Sequence, residues 1–193
     1  MANWESNHLV SETDLIQGCI EGNRRMQEIL YQRFSPKMYG VCLRYAGSAN
    51  DAQDLLQEGF IKVYNSLSKF RGEGSFEGWL RRIFVNTAIE HFRRKVNLRK
   101  IQEIEHTNIE DRSLTALDHL GEKDILNLIM DLSPGYRTVF NLYVIEGYSH
   151  KEIAEMMGIS EGTSKSQLAR AKNILRDLVK TKLDNNNIDK PDE

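Results

Sequence analysis

Gly162, Ser166, Ala169 and Asn173 recur at the spacing of one helical face, and Lys165 and Arg170 stand at its edges. The chemistry such a face can do is hydrogen-bond readout of a nucleic-acid duplex. Small residues let a helix approach base edges closely. Lys165 can reach guanine O6 and N7, and Arg170 a base or a phosphate. Ser164, Leu168, Ala171 and Leu175 share the opposite side, which predicts the face packed on the rest of the domain. A capped helical hairpin with a solvated outer face would show the same pattern, so the pattern by itself leaves both readings open.

The elements that must hold this face lie just before it. Ser149 and Glu152 have capping-box spacing. Ile153, Ala154 and Met157 make an apolar stripe, Gly158 can end a helix in the left-handed conformation, and Ser160 can cap the next one. Two short helices joined this tightly predict a helix-turn-helix, whose second helix fits a major groove.

A second cluster lies upstream. The loop 70–76, FRGEGSF, has two glycines, an arginine and an aromatic residue at each end, and Ser75 can cap the helix that follows. That helix is predicted to bury Phe76, Leu80, Ile83, Phe84 and Thr87, and to turn Arg82, Asn86 and Arg93 outward with Val85 and Ile89 nearby. Arginine and asparagine beside a glycine-rich loop suit single-stranded or melted nucleic acid. Phe76, Trp79 and Phe84 read as core, whereas Phe70 and Arg71 read as open loop residues. On the helix predicted at 50–68, Ala52, Leu55, Leu56, Gly59, Val63 and Leu67 form a seam. Gly59 there implies the close approach of a neighbouring helix. Asp54, Gln57, Glu58, Ile61 and Asn65 form the other face, acidic with one apolar residue. That face suits a partner helix bearing Arg or Lys, or simply solvent.

Helical periodicity dominates the 193 residues, with helices predicted near 11–20, 23–46, 50–68, 76–96, 122–132, 134–146, 149–157 and 160–181. The expected fold class is all-α: two small helical domains joined by a flexible acidic linker. The expected boundaries are an N-terminal segment 1–23, a first domain 24–96, a linker 97–121, a second domain 122–181 and a disordered tail 182–193. Net charge is −2, but its distribution is uneven: +4 over 84–100, −6 over 101–131 and +3 over 150–182. Two basic segments that can attract phosphate backbones flank an acidic one. No apolar run approaches the roughly 20 residues needed to span a bilayer, and the first ten residues lack signal-peptide character. Cys19 and Cys42 have no metal-site spacing and read as reduced thiols of a cytoplasmic protein, with no cofactor or metal implied.

DAQDLLQEGFIKVY (51–64), FRGEGSFEGWLRRIFVNTAIEHFRRK (70–95) and LSPGYRTVFNLYVIEGYSHKEIAEMMGISEGTSKSQLARAKNIL (132–175) together resemble a bacterial RNA polymerase sigma factor of the sigma-70 family, in the small extracytoplasmic-function (ECF) group. The resemblance implies a region 2-like domain in which Asp54, Gln57, Glu58 and Ile61 bind the β′ clamp helices of core RNA polymerase. It implies that the loop at Phe70 and Arg71 captures a flipped base of the −10 element, and that Arg82, Asn86, Arg93 and Arg94 line the melted strand. In a region 4-like domain, Gly162, Thr163, Lys165, Ser166, Ala169 and Arg170 would read the −35 duplex, and the surface before the helix-turn-helix would meet the β flap. Promoter DNA, core polymerase and an anti-sigma factor are the implied partners, with no membrane insertion. Ser164 stands where the family usually has an apolar β-branched residue, and its hydroxyl is expected to bond a backbone carbonyl. Gly59 and Gly135 replace bulkier residues, and Lys165 stands where arginine is frequent.

Two other function classes compete. A repressor or activator that grips duplex DNA alone explains 149–170 but leaves 51–95 idle. A nucleic-acid hydrolase needs clustered carboxylates, histidines or metal ligands, and His91, His106, His119 and His150 are scattered.

Overall fold

The computed structural model describes residues 10–102 and 122–188, with side chains placed for 10–96 and 126–181. Among these residues every regular element is helical: α1 (Glu12–Ile20), α2 (Arg24–Tyr45), α3 (Ala49–Ser66), α4 (Phe76–Gln102), α5 (Glu122–Met130), α6 (Pro134–Phe140), α7 (His150–Met157) and α8 (Glu161–Ile188). The described residues divide into two compact units, parted between Ala88 and Ile89.

Serine and asparagine start the helices of the first unit, each satisfying one of the unpaired N–H groups of a first turn. Ser11 caps α1 through the Asp14 amide, Asn23 caps α2, and Ser48 caps α3 through the Asp51 amide. Leu15 and Cys19 of α1 are buried, so α1 is part of this core although the sequence left it in a separate N-terminal segment. The α3 seam is buried as its period predicts, from Ala52 to Val63, with Leu67 buried in the short 3-10 turn that follows. Phe34 meets Phe76 edge-on at 5.4 Å, and Phe60 meets Phe84 at 5.2 Å, fastening α4 to α2 and α3. Gly59 is the point of closest approach: a Cβ there would run into the Phe84 ring.

Val85 and Ile89, expected near the outward side of α4, are buried. Aliphatic side chains on neighbouring faces give α4 a wide covered arc, which leaves Arg82 and Asn86 on a narrow exposed strip. Burial pushes the Cys19 thiol up to about 11 and Cys42 to about 12, so neither forms a reactive thiolate at neutral pH.

Two helices outrun their expected ends. Helix α4 continues past residue 96, since no glycine or proline follows Gly78 before Gly121. Helix α8 continues to Ile188, past the point where a disordered tail was expected, because the next breaker is Pro191. Linker residues 103–121 and tail residues 189–193 lie outside the described residues.

In the second unit, the single helix expected over 134–146 is two pieces. Helix α6 widens into a π-helical turn at Asn141–Ile145, which Gly147 ends at φ 78°. The wider turn puts Asn141 and Leu142 inside and exposes Tyr143 and Val144.

Candidate nucleic-acid interface

The helix-turn-helix is built by local rules. Ser149 Oγ accepts the Glu152 amide at 3.3 Å, and Glu152 Oε2 accepts the Ser149 amide at 2.8 Å, completing the capping box. The Ser149 hydroxyl and amide together hold the Glu152 carboxyl below its ordinary pKa. Gly158 takes φ 69°, which ends α7. Ser160 Oγ then accepts the Thr163 amide at 3.0 Å and starts α8. Ile153, Ala154 and Met157 of α7 are buried, with Ser164, Leu168 and Ala171 of α8.

Helix α8 presents Gly162, Lys165, Ser166, Ala169 and Arg170 exposed, with Thr163 half-buried. Ser166 donates its hydroxyl to the Thr163 carbonyl at 3.0 Å, so its outward lone pairs remain as acceptors. Lys165 pairs with Glu161 at 3.8 Å. Both ends are open to water, and such a pair is weak enough for a nucleic acid to displace it. Arg170 is held from another helix: its Nη1 donates to the Tyr136 hydroxyl of α6 at 3.2 Å. Gly135 leaves room for Gln167, whose amide oxygen would lie 3.4 Å from a Cβ at 135.

Ser164 is fully buried, and its hydroxyl shares a 2.9 Å hydrogen bond with His150 Nδ1 instead of reaching a backbone carbonyl. Its inward position aims it across the seam at the first residue of α7, away from its own preceding turn. The His150 ring stacks on Tyr143 at 4.5 Å, and the Lys172 ammonium lies 5.8 Å from the Tyr143 ring centre. One polar contact thus joins the two helices of the motif, where a bond to a backbone carbonyl was expected.

In the first unit, Gly72 and Gly74 take φ 73° and 86°, left-handed conformations that side chains resist and that fix the course of the loop. Ser75 Oγ accepts the Gly78 amide and caps α4. Phe70 is not the free loop side chain expected. Its ring lies 5.2 Å from Phe76 and 5.4 Å from Trp79, because the loop folds back on the first turn of α4. Phe76 is core, as read, while Trp79 is half-buried beside it. Arg71 is exposed on the loop, and Arg82, Asn86, Arg93 and Arg94 are exposed along α4. On α3, Asp54, Gln57 and Ile61 share an exposed face, with Ile61 60% exposed. Glu58 is half-buried there and pairs with Lys62 at 3.1 Å.

Residues 30–97 match Sigma-70 region 2, and residues 122–175 match Sigma-70 region 4. The chain is 31% identical over 182 residues to an ECF RNA polymerase sigma-E factor of Haemophilus influenzae, covering 88% of this chain and 96% of that one. This chain belongs to the sigma-70 family, in its ECF group. It is also 32% identical over 178 residues to an RNA polymerase sigma-H factor of Pseudomonas aeruginosa, covering 85% of this chain and 92% of that protein. Among solved structures it shares the fold of the sigma factor RpoE of Bartonella quintana, there in complex with the anti-sigma factor NepR. That likeness has a TM-score of 0.50 and 24% identity, over 78% of this chain and 96% of that one.

As an ECF sigma factor, the protein is a non-enzymatic subunit for promoter-specific transcription initiation by RNA polymerase. The repressor and hydrolase readings are set aside. No helix among the described residues is long and apolar enough to cross a membrane. The region 2 match begins inside α2, and α1, ahead of it, is buried through Leu15 and Cys19. In the second unit, three pairings were not read from the sequence. Glu161 with Lys165 was available from its i,i+4 spacing. Tyr136 with Arg170, and His150 with Ser164, join different helices and left no local signal.

Proposed function

We propose that this sigma factor grips promoters at two points. The turns of α8 carrying Gly162, Thr163, Lys165, Ser166, Ala169 and Arg170 read the −35 element as a duplex. The loop at Phe70 and Arg71, with Arg82, Asn86, Arg93 and Arg94, holds the melted strand of the −10 element. Asp54, Gln57, Glu58 and Ile61 meet the β′ clamp helices, and the surface before the helix-turn-helix meets the β flap. Because Phe70 is packed on Phe76 and Trp79, it would serve as a fixed wall for a flipped base, and Arg71 as the loop's freer contact. The protein works in the cytoplasm, and an anti-sigma factor is the further partner that family membership leads us to expect.

The observation that supports this reading best is the exposed small-residue face of α8 between Lys165 and Arg170, set behind a capped turn. Substitutions at the two DNA surfaces should have separable effects on holoenzyme assembled with core polymerase. Lys165→Ala should relax preference at one −35 base pair, by about 1–3 kcal/mol for a good base contact. Arg93→Ala should slow open-complex formation more than it weakens closed-complex binding. Gel-shift and permanganate-footprint series measure both. Equal losses for Lys165→Ala on every −35 sequence would make Lys165 a phosphate anchor, and parallel losses for Arg93→Ala would remove it from the melted strand.

A further inference from the structure

The contact between Arg170 and Tyr136 bears on whether this arginine takes a base or a phosphate. A helix enters the major groove by its N-terminal turns. Arg170 stands nine residues after Glu161, the first residue of α8, or about 13 Å along the axis. It also lies at the edge of the DNA-facing side, turned toward α6, where Tyr136 accepts its Nη1–H at 3.2 Å. Tyr136 belongs to α6, a different helix from the one that carries the exposed small-residue face.

We propose that Tyr136 is a DNA-backbone residue that, with Arg170, clamps one phosphate of the promoter duplex. The inference rests on the sigma-factor reading of α8 as the recognition helix. The donor inventory fits a phosphate. The tyrosine hydroxyl accepts from Arg170 and so keeps its own O–H to donate, while the guanidinium keeps its remaining N–H groups. Two neighbouring side chains then offer donors and no carboxylate, which suits the acceptor-only oxygens of a phosphodiester. The Tyr136 ring is half-buried on α6, so the hydroxyl is held by a side chain with only two torsions. Arg170 is a long side chain with much rotamer freedom to lose, and a partner that orients it before binding reduces that loss.

The test is the affinity of holoenzyme for promoter duplex across a salt series, on a matched sequence and on sequences altered in the −35 box. Arg170→Ala should weaken binding by the same factor on all of them. It should also reduce the slope of log affinity against log salt by about 0.9, the loss of one phosphate contact. Tyr136→Phe, which keeps the ring, should weaken binding about fivefold with unchanged base preference. The double variant should lose less than the sum of the two single losses, because both side chains act on one phosphate. Wild-type affinity for Tyr136→Phe, additive losses in the double variant, or relaxed preference at one base pair in Arg170→Ala would each overturn the clamp. A wild-type protein that fails to assemble with core polymerase would instead sink the sigma-factor reading of this site, so the two failures are distinct.

Discussion

Reversing Asp54 and Glu58 to arginine should abolish assembly with core RNA polymerase while leaving the first unit folded. Asp54 is exposed, and no core packing depends on it. Glu58 pairs with Lys62, so Glu58→Arg also sets two positive charges four residues apart, at a cost of about 0.2–0.5 kcal/mol. That is too little to unfold a domain. At an interface with a basic partner helix the scale differs. Losing one buried charge pair costs about 2–5 kcal/mol, and reversal adds repulsion. Two reversals therefore take the affinity down by at least about a thousandfold. Anisotropy of labelled protein titrated with core polymerase reads the loss, and a thermal melt checks the fold. Asp54→Arg alone, which spares the Glu58–Lys62 pair, should lower the affinity by at least about thirtyfold. Retained binding with an intact fold would move the polymerase contact off α3.

The second large effect is structural. Gly59→Leu should destabilise the first unit by at least about 3 kcal/mol, a melting shift of more than about 10 °C for a domain of this size. Two opposing terms set the sign. Leaving glycine in a helix interior gains about 1 kcal/mol of helix propensity. Against this, even a Cβ at 59 would run into the Phe84 ring. That ring is 1% exposed and lies edge-on to Phe60 at 5.2 Å, so it has no free space to retreat into. Overpacking wins, and Gly59→Ala should also lower the midpoint, though less. Phe84→Leu combined with Gly59→Ala should recover part of the loss, because the smaller side chain vacates the contact. Calorimetry decides: a raised midpoint for Gly59→Ala alone would mean that propensity dominates and that α3 and α4 are not held apart by that ring.

What the sequence disclosed divides along the range of the interactions. The capping box at Ser149, the left-handed Gly158, the Ser160 cap and the α3 seam depend on residues within a turn or two, and each was legible. Gly59 was legible as a close approach, although not as the seat of Phe84. Contacts made between elements were not. Phe70 reads as a loop residue until the chain folds it onto Phe76 and Trp79. Ser164 reads as a poor core residue until His150 is brought opposite. Tyr136 and Arg170 are far apart in sequence, with no pattern to join them. The π-helical turn at Asn141–Ile145 breaks a periodicity that predicts one continuous helix, and nothing local announces the wider turn. The exposed residues of α8 were visible because exposure follows the helical wheel. Their orientation was not, because Glu161 and Tyr136 set it from the side.

Run-off transcription by purified core polymerase with this protein, on a library of genomic promoter fragments, tests the central claim most directly. The account predicts transcripts only when the protein is added. They should start at a fixed distance downstream of two sequence boxes, an upstream one sensitive to Lys165→Ala and a downstream one sensitive to Arg93→Ala. Transcription no greater than with core polymerase alone, under conditions where the protein still binds a single duplex box, would contradict it.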